Sequence, residues 1–402
     1  MTATGWDPVG KGAATRPAVG ALGASARCPL RVGLISPPWF SVPPTGYGGI
    51  ESVCAGLVNG LSALGHDVLL IGAGSDLTAA TFAATYGCPP SDRIGESVPE
   101  VVHAAAAARL LAESAVDVVH DHSLAGPLSA RGRFVPTVVT AHGPATGELG
   151  RYYRELGDTV SLVAISEAQR ERAPNLPWVA AIHNGIDVTT YPFQPRKEDY
   201  LLFLGRMCAE KGVHHAIDAA RAADRRIIVA GKCREPAERA YFAAQIEPRL
   251  GPGVTFIGEA DAGAKRDLLA HARCLLFPIC WEEPFGMVMI EAMACGTPVV
   301  ALRRGSVSEV VVDGVTGYIC DEPDDLAAAV SRVDRLAPAD CRAAVEERFS
   351  TSVMARRYEA VYRSLVAAAS PKTLGFSSLP RALSPRAKPT CTSPADGVGP
   401  RR

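Results

Sequence analysis

At 402 residues, with 48% hydrophobic and 21% charged residues and a formal net charge of −1, the chain exceeds the size at which a single hydrophobic core stops growing. Its near-neutral balance gives no electrostatic reason to expect nucleic acid as a partner, and no run of 18 or more apolar residues supports a membrane-spanning helix. Eleven cysteines, irregularly spaced and without a C-x-x-C pair, point to reduced thiols in a cytoplasmic protein rather than to a disulfide framework or zinc.

Residues 1–28 and 370–402 are rich in Pro, Gly, Ser, Ala and Arg without periodicity and read as disordered tails. The stretch to Ala26 lacks the compact apolar segment of a signal peptide. Between the tails, short apolar runs alternate with amphipathic stretches. LRVGLIS is followed by a helix expected from about Ile50 to Leu64, then by HDVLLIG, VDVVH and PTVVTAH. A second series runs through YLLFLGR, RRIIVAG, VTFIGE, CLLFPI and PVVAL. Apolar strands alternating with helices predict an α/β protein with parallel sheets covered on both faces. The turn-rich IHNGIDVTTYPFQPRKED separates the two series. The expected organisation is a Rossmann-like domain over 29–185, a linker over 186–198, a second Rossmann-like domain over 199–350 and a helix over 351–369. Two doubly wound domains in tandem place a ligand in the cleft where strand-end loops converge.

The candidate residues cluster at those strand ends. After the first strand, PPWFSVPPTGYGGIE lacks the dinucleotide G-x-G-x-x-G. Gly46, Gly48 and Gly49 instead precede a helix, where they permit close backbone approach or serve as a flexible turn. His120 and His122 follow VDVVH, and His142 follows PTVVTA. A strand-end histidine is ordinarily a hydrogen-bonded structural residue. Position favours His142 as the one facing the cleft, with His122 a secondary candidate on the acceptor side. No carboxylate at ligand spacing accompanies them, so no metal site is expected. LGRMCAEKG brings Arg206 and Lys211 to one strand end, a bidentate donor and a point charge suited to a diphosphate.

In WEEPFGMVMIEAMACGTPVVALRRGS, Glu283 and Glu291 bracket a helix expected to start at Pro284 or Phe285. The N–H groups of Phe285, Gly286 and Met287 would then form an anion site at the positive end of the helix. Glu282 leaves two neighbouring carboxylates to choose between, and the spacing to Glu291 favours Glu283. Ser306 and Glu309 have capping-box spacing and read as structural. Ser166, Asn184 and Asp187 are equally well read as a structural hinge.

Glu283, seven intervening residues and Glu291 resemble the signature of retaining GT-B glycosyltransferases, most closely glycosyltransferase family four. EPFG, EAMACGTPVVA and GVTGY follow in that family's order, and G-R, four residues, K-G matches at Arg206 and Lys211. YGGIE looks like the family's glycine loop, TAHGP resembles its strand-end histidine, and AISEAQR its strand-then-serine segment. Cys208 and the PICWEE stretch depart from the pattern. The resemblance implies a GT-B fold, two Rossmann-like domains facing across a cleft with the final helix crossing back to the N-terminal domain. It implies retaining transfer from a nucleoside diphosphate sugar, a UDP-sugar by preference, to an acceptor hydroxyl of a small molecule or glycan. No metal or cofactor is implied beyond that co-substrate, and a peripheral membrane contact is left open.

The implied catalytic set is His142, Arg206, Lys211 and Glu283. The implied donor-binding set is Gly48, Gly49, Arg206, Lys211, Phe285, Gly286, Met287 and Glu291. In these sets Gly48 and Gly49 face the diphosphate, Glu283 takes the sugar and Glu291 the ribose. YGGIE, TAHGP and WEEPFG are also similar to a natural-product or UDP-glucose:tetrahydrobiopterin glucosyltransferase-like subgroup. Two further readings stay open, a GT-B sugar-nucleotide 2-epimerase and a non-catalytic nucleotide-sugar-binding protein.

Overall fold

The computed structural model describes residues 28–369, so the stretches read as tails lie, apart from Cys28, outside the described residues. Its strands are β1 (Arg31–Ile35), β2 (Asp67–Ala73), β3 (Thr81–Tyr86), β4 (Val118–Asp121), β5 (Thr137–Ala141), β6 (Ser161–Ala164), β7 (Trp178–Ala181), β8 (Leu201–Leu204), β9 (Ile227–Ala230), β10 (Val254–Phe256), β11 (Cys274–Phe277), β12 (Val299–Leu302) and β13 (Gly317–Cys320). They form one sheet in the order β3-β2-β1-β4-β5-β6-β7 and a second in the order β10-β9-β8-β11-β12-β13. Every named pair is parallel. This is the two-domain Rossmann-like architecture expected of GT-B enzymes.

Both sheets reverse their direction of winding beside their first strand, between β1 and β4 and between β8 and β11. At such a reversal the loops leaving adjacent strands diverge and open a crevice. β4, β5, β11 and β12 are buried along their whole length, as strands covered on both faces must be. The strands with no apolar run to reveal them, β3, β7 and β13, all lie at sheet edges. There one side has no neighbour, and sequences such as TFAATY and WVAA keep partial exposure throughout.

The chain crosses between the domains twice, and the crossings lie side by side. Ile186 N–H donates to Phe349 O (2.9 Å) and Thr351 N–H donates to Ile186 O (2.9 Å). Gly185 is required here, because a Cβ would stand 2.7 Å from Ser350 O. The last helix, Thr351–Ala369, then buries Met354, Ala355, Tyr358 and Tyr362 against the first helix, Gly49–Ala63, in the N-terminal core. Its tyrosines enter a buried polar network: Tyr362 Oη lies 2.6 Å from His120 Nδ1, and Thr140 Oγ1 lies 2.7 Å from His120 Nε2 and 2.8 Å from Tyr358 Oη. His120 is therefore the structural histidine of the three, held neutral because burial pushes its pKa well below the usual range. Among the described residues no helix is long and apolar enough to cross a membrane, and the described cysteines are all free.

Close approach of these two helices depends on Gly56 and Gly60. At Gly60 an added Cβ would stand 2.7 Å from Ala355 Cβ and 3.0 Å from Thr351 O. Alanine gains about 1 kcal/mol over glycine in a helix interior, whereas overpacking costs about 1–3 kcal/mol. Gly60→Ala is expected to lower stability by up to about 2 kcal/mol, read as a lower urea midpoint. A raised midpoint would show that the last helix yields to the methyl group.

Candidate functional site

The turn after β8 carries Arg206 and Lys211. Lys211 N–H closes it onto Cys208 O (3.1 Å), and Gly212, at φ 68°, starts the helix Val213–Ala222. A Cβ on Gly212 would lie 1.9 Å from Pro278 O, so glycine lets this turn press against the loop that leaves β11. That contact sets Lys211 beside Glu283. The Lys211 ammonium pairs with Glu283 Oε2, and Trp281 Nε1–H donates to the same oxygen (2.9 Å). The ammonium also lies 5.6 Å from the Trp281 ring centroid. Arg206 lies 3.7 Å from Glu238 Oε1, a buried carboxylate whose other oxygen accepts the N–H groups of Arg234 (2.9 Å) and Glu235 (3.2 Å).

The helix bearing Glu291 begins later than the sequence predicts. It spans Met287–Ala294, with Gly286 at φ 76° before it, and its first turn is closed by Met289 N–H donating to Gly286 O (3.0 Å). Only glycine takes this backbone readily, so Pro284 and Phe285 belong to the approaching loop. Phe285 is buried and its carbonyl accepts Ser306 Oγ–H (2.7 Å). The amides at the helix mouth are accordingly those of Met287 and Val288, not that of Phe285.

Glu291, mostly buried, accepts both Lys265 Nζ (2.7 Å) and Tyr191 Oη–H (3.1 Å) on Oε1. Lys265 and Tyr191 escape sequence reasoning because neither stands in a motif. The two neighbouring glutamates have different partners. Glu282 accepts Gly305 N–H (2.8 Å) and lies 3.9 Å from Arg172, leaving Glu283 to Lys211.

On the N-terminal side, Gly48 precedes the first helix at φ 146°, where a Cβ would meet Pro44 at 2.7 Å, while around Gly49 an added Cβ meets nothing within 4 Å. His142 Nε2 lies 2.8 Å from His122 Nδ1, one imidazole donating to the other. Burial pushes His142 down to about 4 and His122 well below its usual value, so both rings are neutral near pH 7. Gln169 Nε2–H donates to Ala141 O (2.8 Å) and Gly143 O (2.7 Å) and so anchors the strand end around His142. Ser166 supports it by accepting Gln169 N–H (3.0 Å) as a helix cap. Pro144–Thr146, just beyond His142, face Trp281–Pro284 across an inter-domain cavity of about 170 Å³.

Glu309 does not form the expected capping box. Ser306 Oγ–H donates to Phe285 O and the Ser306 amide, which a capping box would give to Glu309, donates to Glu283 O (3.0 Å), so the Glu309 carboxylate reaches the other domain. There it accepts Glu167 N–H (2.8 Å) and Ala168 N–H (2.7 Å) at the start of the helix Glu167–Arg172, and pairs with His183 Nε2 (2.8 Å). Glu309 thus clasps the two domains beside the cavity. Among the described residues no group of three or more His, Cys, Asp or Glu is placed to hold a metal ion.

Two family models match the chain, glycosyltransferase family 4 over residues 47–190 and glycosyl transferases group 1 over residues 191–343. A glycogen synthase of Mycobacterium tuberculosis is 30% identical over 387 residues, covering 80% of this chain and 91% of the relative. The solved structure of a glycosyltransferase involved in avilamycin A biosynthesis is 30% identical with a TM-score of 0.66, covering 84% of this chain and 98% of that one. An Anabaena protein solved with UDP and glucose has the same TM-score of 0.66 at 19% identity, covering 84% of this chain and 100% of that one; it shares the fold.

The clasp gives a pH signature. Burial raises the Glu309 pKa, but the bonds from His183, Ala168 and Glu167 outweigh it and hold the group below the ordinary carboxylate value. A depressed folded-state pKa contributes stability above the unfolded value, near 4.3, that is lost as pH falls through the folded value. Glu309→Gln is therefore expected to lower the melting temperature at pH 7, with the gap to the unmodified protein closing below about pH 4. A gap that stays constant down to pH 3 would mean that the charge contributes nothing.

Proposed function

The chain belongs to glycosyltransferase family four, and on that premise we propose that it transfers a sugar from a UDP-sugar to an acceptor hydroxyl with retention at the anomeric carbon. It is a glycosyltransferase; the donor base, the stereochemistry and the residue roles are the proposal. The observation that carries it is the Lys211–Glu283 pair with Trp281 donating to the same carboxylate oxygen. A cation for the diphosphate and an acceptor for sugar hydroxyls stand within one contact of each other, where the β-phosphate and the transferred sugar are joined.

In this reading Arg206 and Lys211 bind the diphosphate, with the amides of Met287 and Val288 at the helix mouth, the Gly286 backbone before them and the glycine backbone of Gly48 and Gly49 on the opposite lip. Phe285 supports the loop from the core. Glu283 orients the sugar, Glu291 takes the ribose hydroxyls, and His142, neutral and anchored through Gln169, hydrogen-bonds the sugar. The acceptor oxygen attacks from the face the leaving group vacates. The bond from the anomeric carbon to the phosphate oxygen breaks as the bond to the acceptor oxygen forms, and the acceptor proton passes to the departing β-phosphate. No side chain is needed as general base. The negative charge that grows on the diphosphate is met by Arg206, Lys211 and the helix dipole in the role a divalent ion plays elsewhere. Likeness to the avilamycin enzyme supports a small natural-product acceptor.

Lys211→Ala is expected to lower turnover about a hundredfold, with a smaller loss of donor affinity, because its charge is needed most in the transition state. Equal losses in both would assign it to ground-state binding alone. Glu291→Ala is expected to weaken bare UDP in calorimetry, and unchanged affinity would remove Glu291 from the ribose. Transfer should survive prolonged chelation, and loss of activity restored by a divalent ion would overturn the metal-free scheme. Retention is read directly from the anomeric coupling in the product NMR spectrum.

A further inference from the structure

Lys211 is held by a carboxylate and an aromatic ring, and a second lysine of the same crevice is held in the same way. Lys232 ends the loop start after β9, the strand beside β8, and its carbonyl accepts Met207 N–H (3.0 Å), which ties it to the Arg206 turn. Its ammonium, on a side chain only 13% exposed, bonds Glu235 Oε1 (2.8 Å) and lies 5.4 Å from the ring centroid of Tyr47. Tyr47 comes from the other domain, in the glycine loop between Gly46 and Gly48. Burial raises the pKa of its hydroxyl, while the charges of Arg206 and Lys232 both pull it down, so the tyrosine lies within electrostatic reach of both cations. Arg206 in turn feels Tyr47, Glu238 and Glu235.

We propose that Lys232 is a third diphosphate-binding cation beside Arg206 and Lys211, and that Glu235 and the Tyr47 ring are stand-ins which the incoming diphosphate displaces. The inference rests on the nucleoside diphosphate donor proposed above. Neither stand-in holds Lys232 strongly. Glu235 is 48% exposed, and an ion pair with one partner in water contributes little; a single lysine–tyrosine contact near the surface is similarly modest. A diphosphate oxygen offers a short charge-assisted bond to a lysine that the fold already keeps out of water.

The test is calorimetry of the full chain with UDP, ADP and GDP and with the corresponding nucleosides, in parallel with circular dichroism of each variant. For whichever diphosphate binds, Lys232→Met should weaken affinity about tenfold and leave the nucleoside unaffected. Glu235→Gln should act in the opposite direction and tighten the diphosphate about two- to fivefold, because a competitor is removed. Lys211→Met serves as the reference and should weaken binding as well. If Lys211→Met weakens the diphosphate while Lys232→Met and Glu235→Gln leave it unchanged, Lys232 and Glu235 form an ordinary surface pair and the inference is overturned. If no diphosphate binds the unmodified chain, the donor reading itself fails and takes this one with it. Should Lys232→Met fail to fold, the sign of the Glu235→Gln effect decides alone.

Discussion

A crevice that gathers several cations must be stable in its own right. An unpaired buried charge is costly, and this chain answers with a local partner for each charged candidate. Lys211 has Glu283, Arg206 has the buried Glu238, Lys232 has Glu235, and Glu291 has Lys265. In the proposed reaction the partnership at Lys211 has a functional side. In that scheme the diphosphate competes with Glu283 for Lys211, and the sugar hydroxyls compete with Lys211 and Trp281 for the same carboxylate oxygen.

The two domains are joined by polar contacts, by apolar packing and by one helix. The paired crossings at Ile186, Phe349 and Thr351 form a narrow two-stranded hinge, and the final helix fixes one of its strands to the N-terminal core through Tyr358 and Tyr362. Glu309 adds a clasp on the cavity side, and Met287, at the mouth of the Glu291 helix, packs against the cores of both domains. Relative motion is the default for domains joined this way. Here any motion must keep the Glu309 contacts or break three hydrogen bonds at once, and the helix capped by Glu309 also carries Arg172 on the cavity wall.

The buried half of each sheet was legible because a strand covered on both faces has to be apolar throughout, as VDVVH, PTVVTAH, CLLFPI and PVVAL are. Edge strands β3, β7 and β13 carry no such requirement and left no run to read. The approach of Arg206, Lys211 and Glu283 to one crevice was legible because the turns after β8 and β11 carry them, and Glu291 follows on the helix after β11. Their partners were not. Lys265 reaches Glu291 from a helix of unremarkable composition, Tyr191 from the segment between the domains, and Glu238 meets Arg206 through a three-dimensional neighbourhood that no sequence period encodes. The late start of the Glu291 helix has a local cause, since the αL backbone at Gly286 overrides the start that Pro284 suggests. For Glu309 the capping-box spacing misled, because the Ser306 amide that would bind its carboxylate donates to Glu283 O instead, and the glutamate turns to the other domain.

The adjacent glutamates show how the backbone resolves what spacing alone leaves open. Gly305, at φ 51°, lies so close to residue 283 that a Cβ would stand 2.1 Å from Glu283 O. That contact presents the Gly305 amide to Glu282 and the Ser306 amide to Glu283 O (3.0 Å). Glu282 is thereby spent on the backbone of the loop after β12, and its side chain points toward Arg172 of the other domain. Glu283, with its main chain fixed by Ser306, is left to face Lys211. The glycine after β12 therefore selects which carboxylate pairs with Lys211, and any side chain at position 305 would disturb that selection.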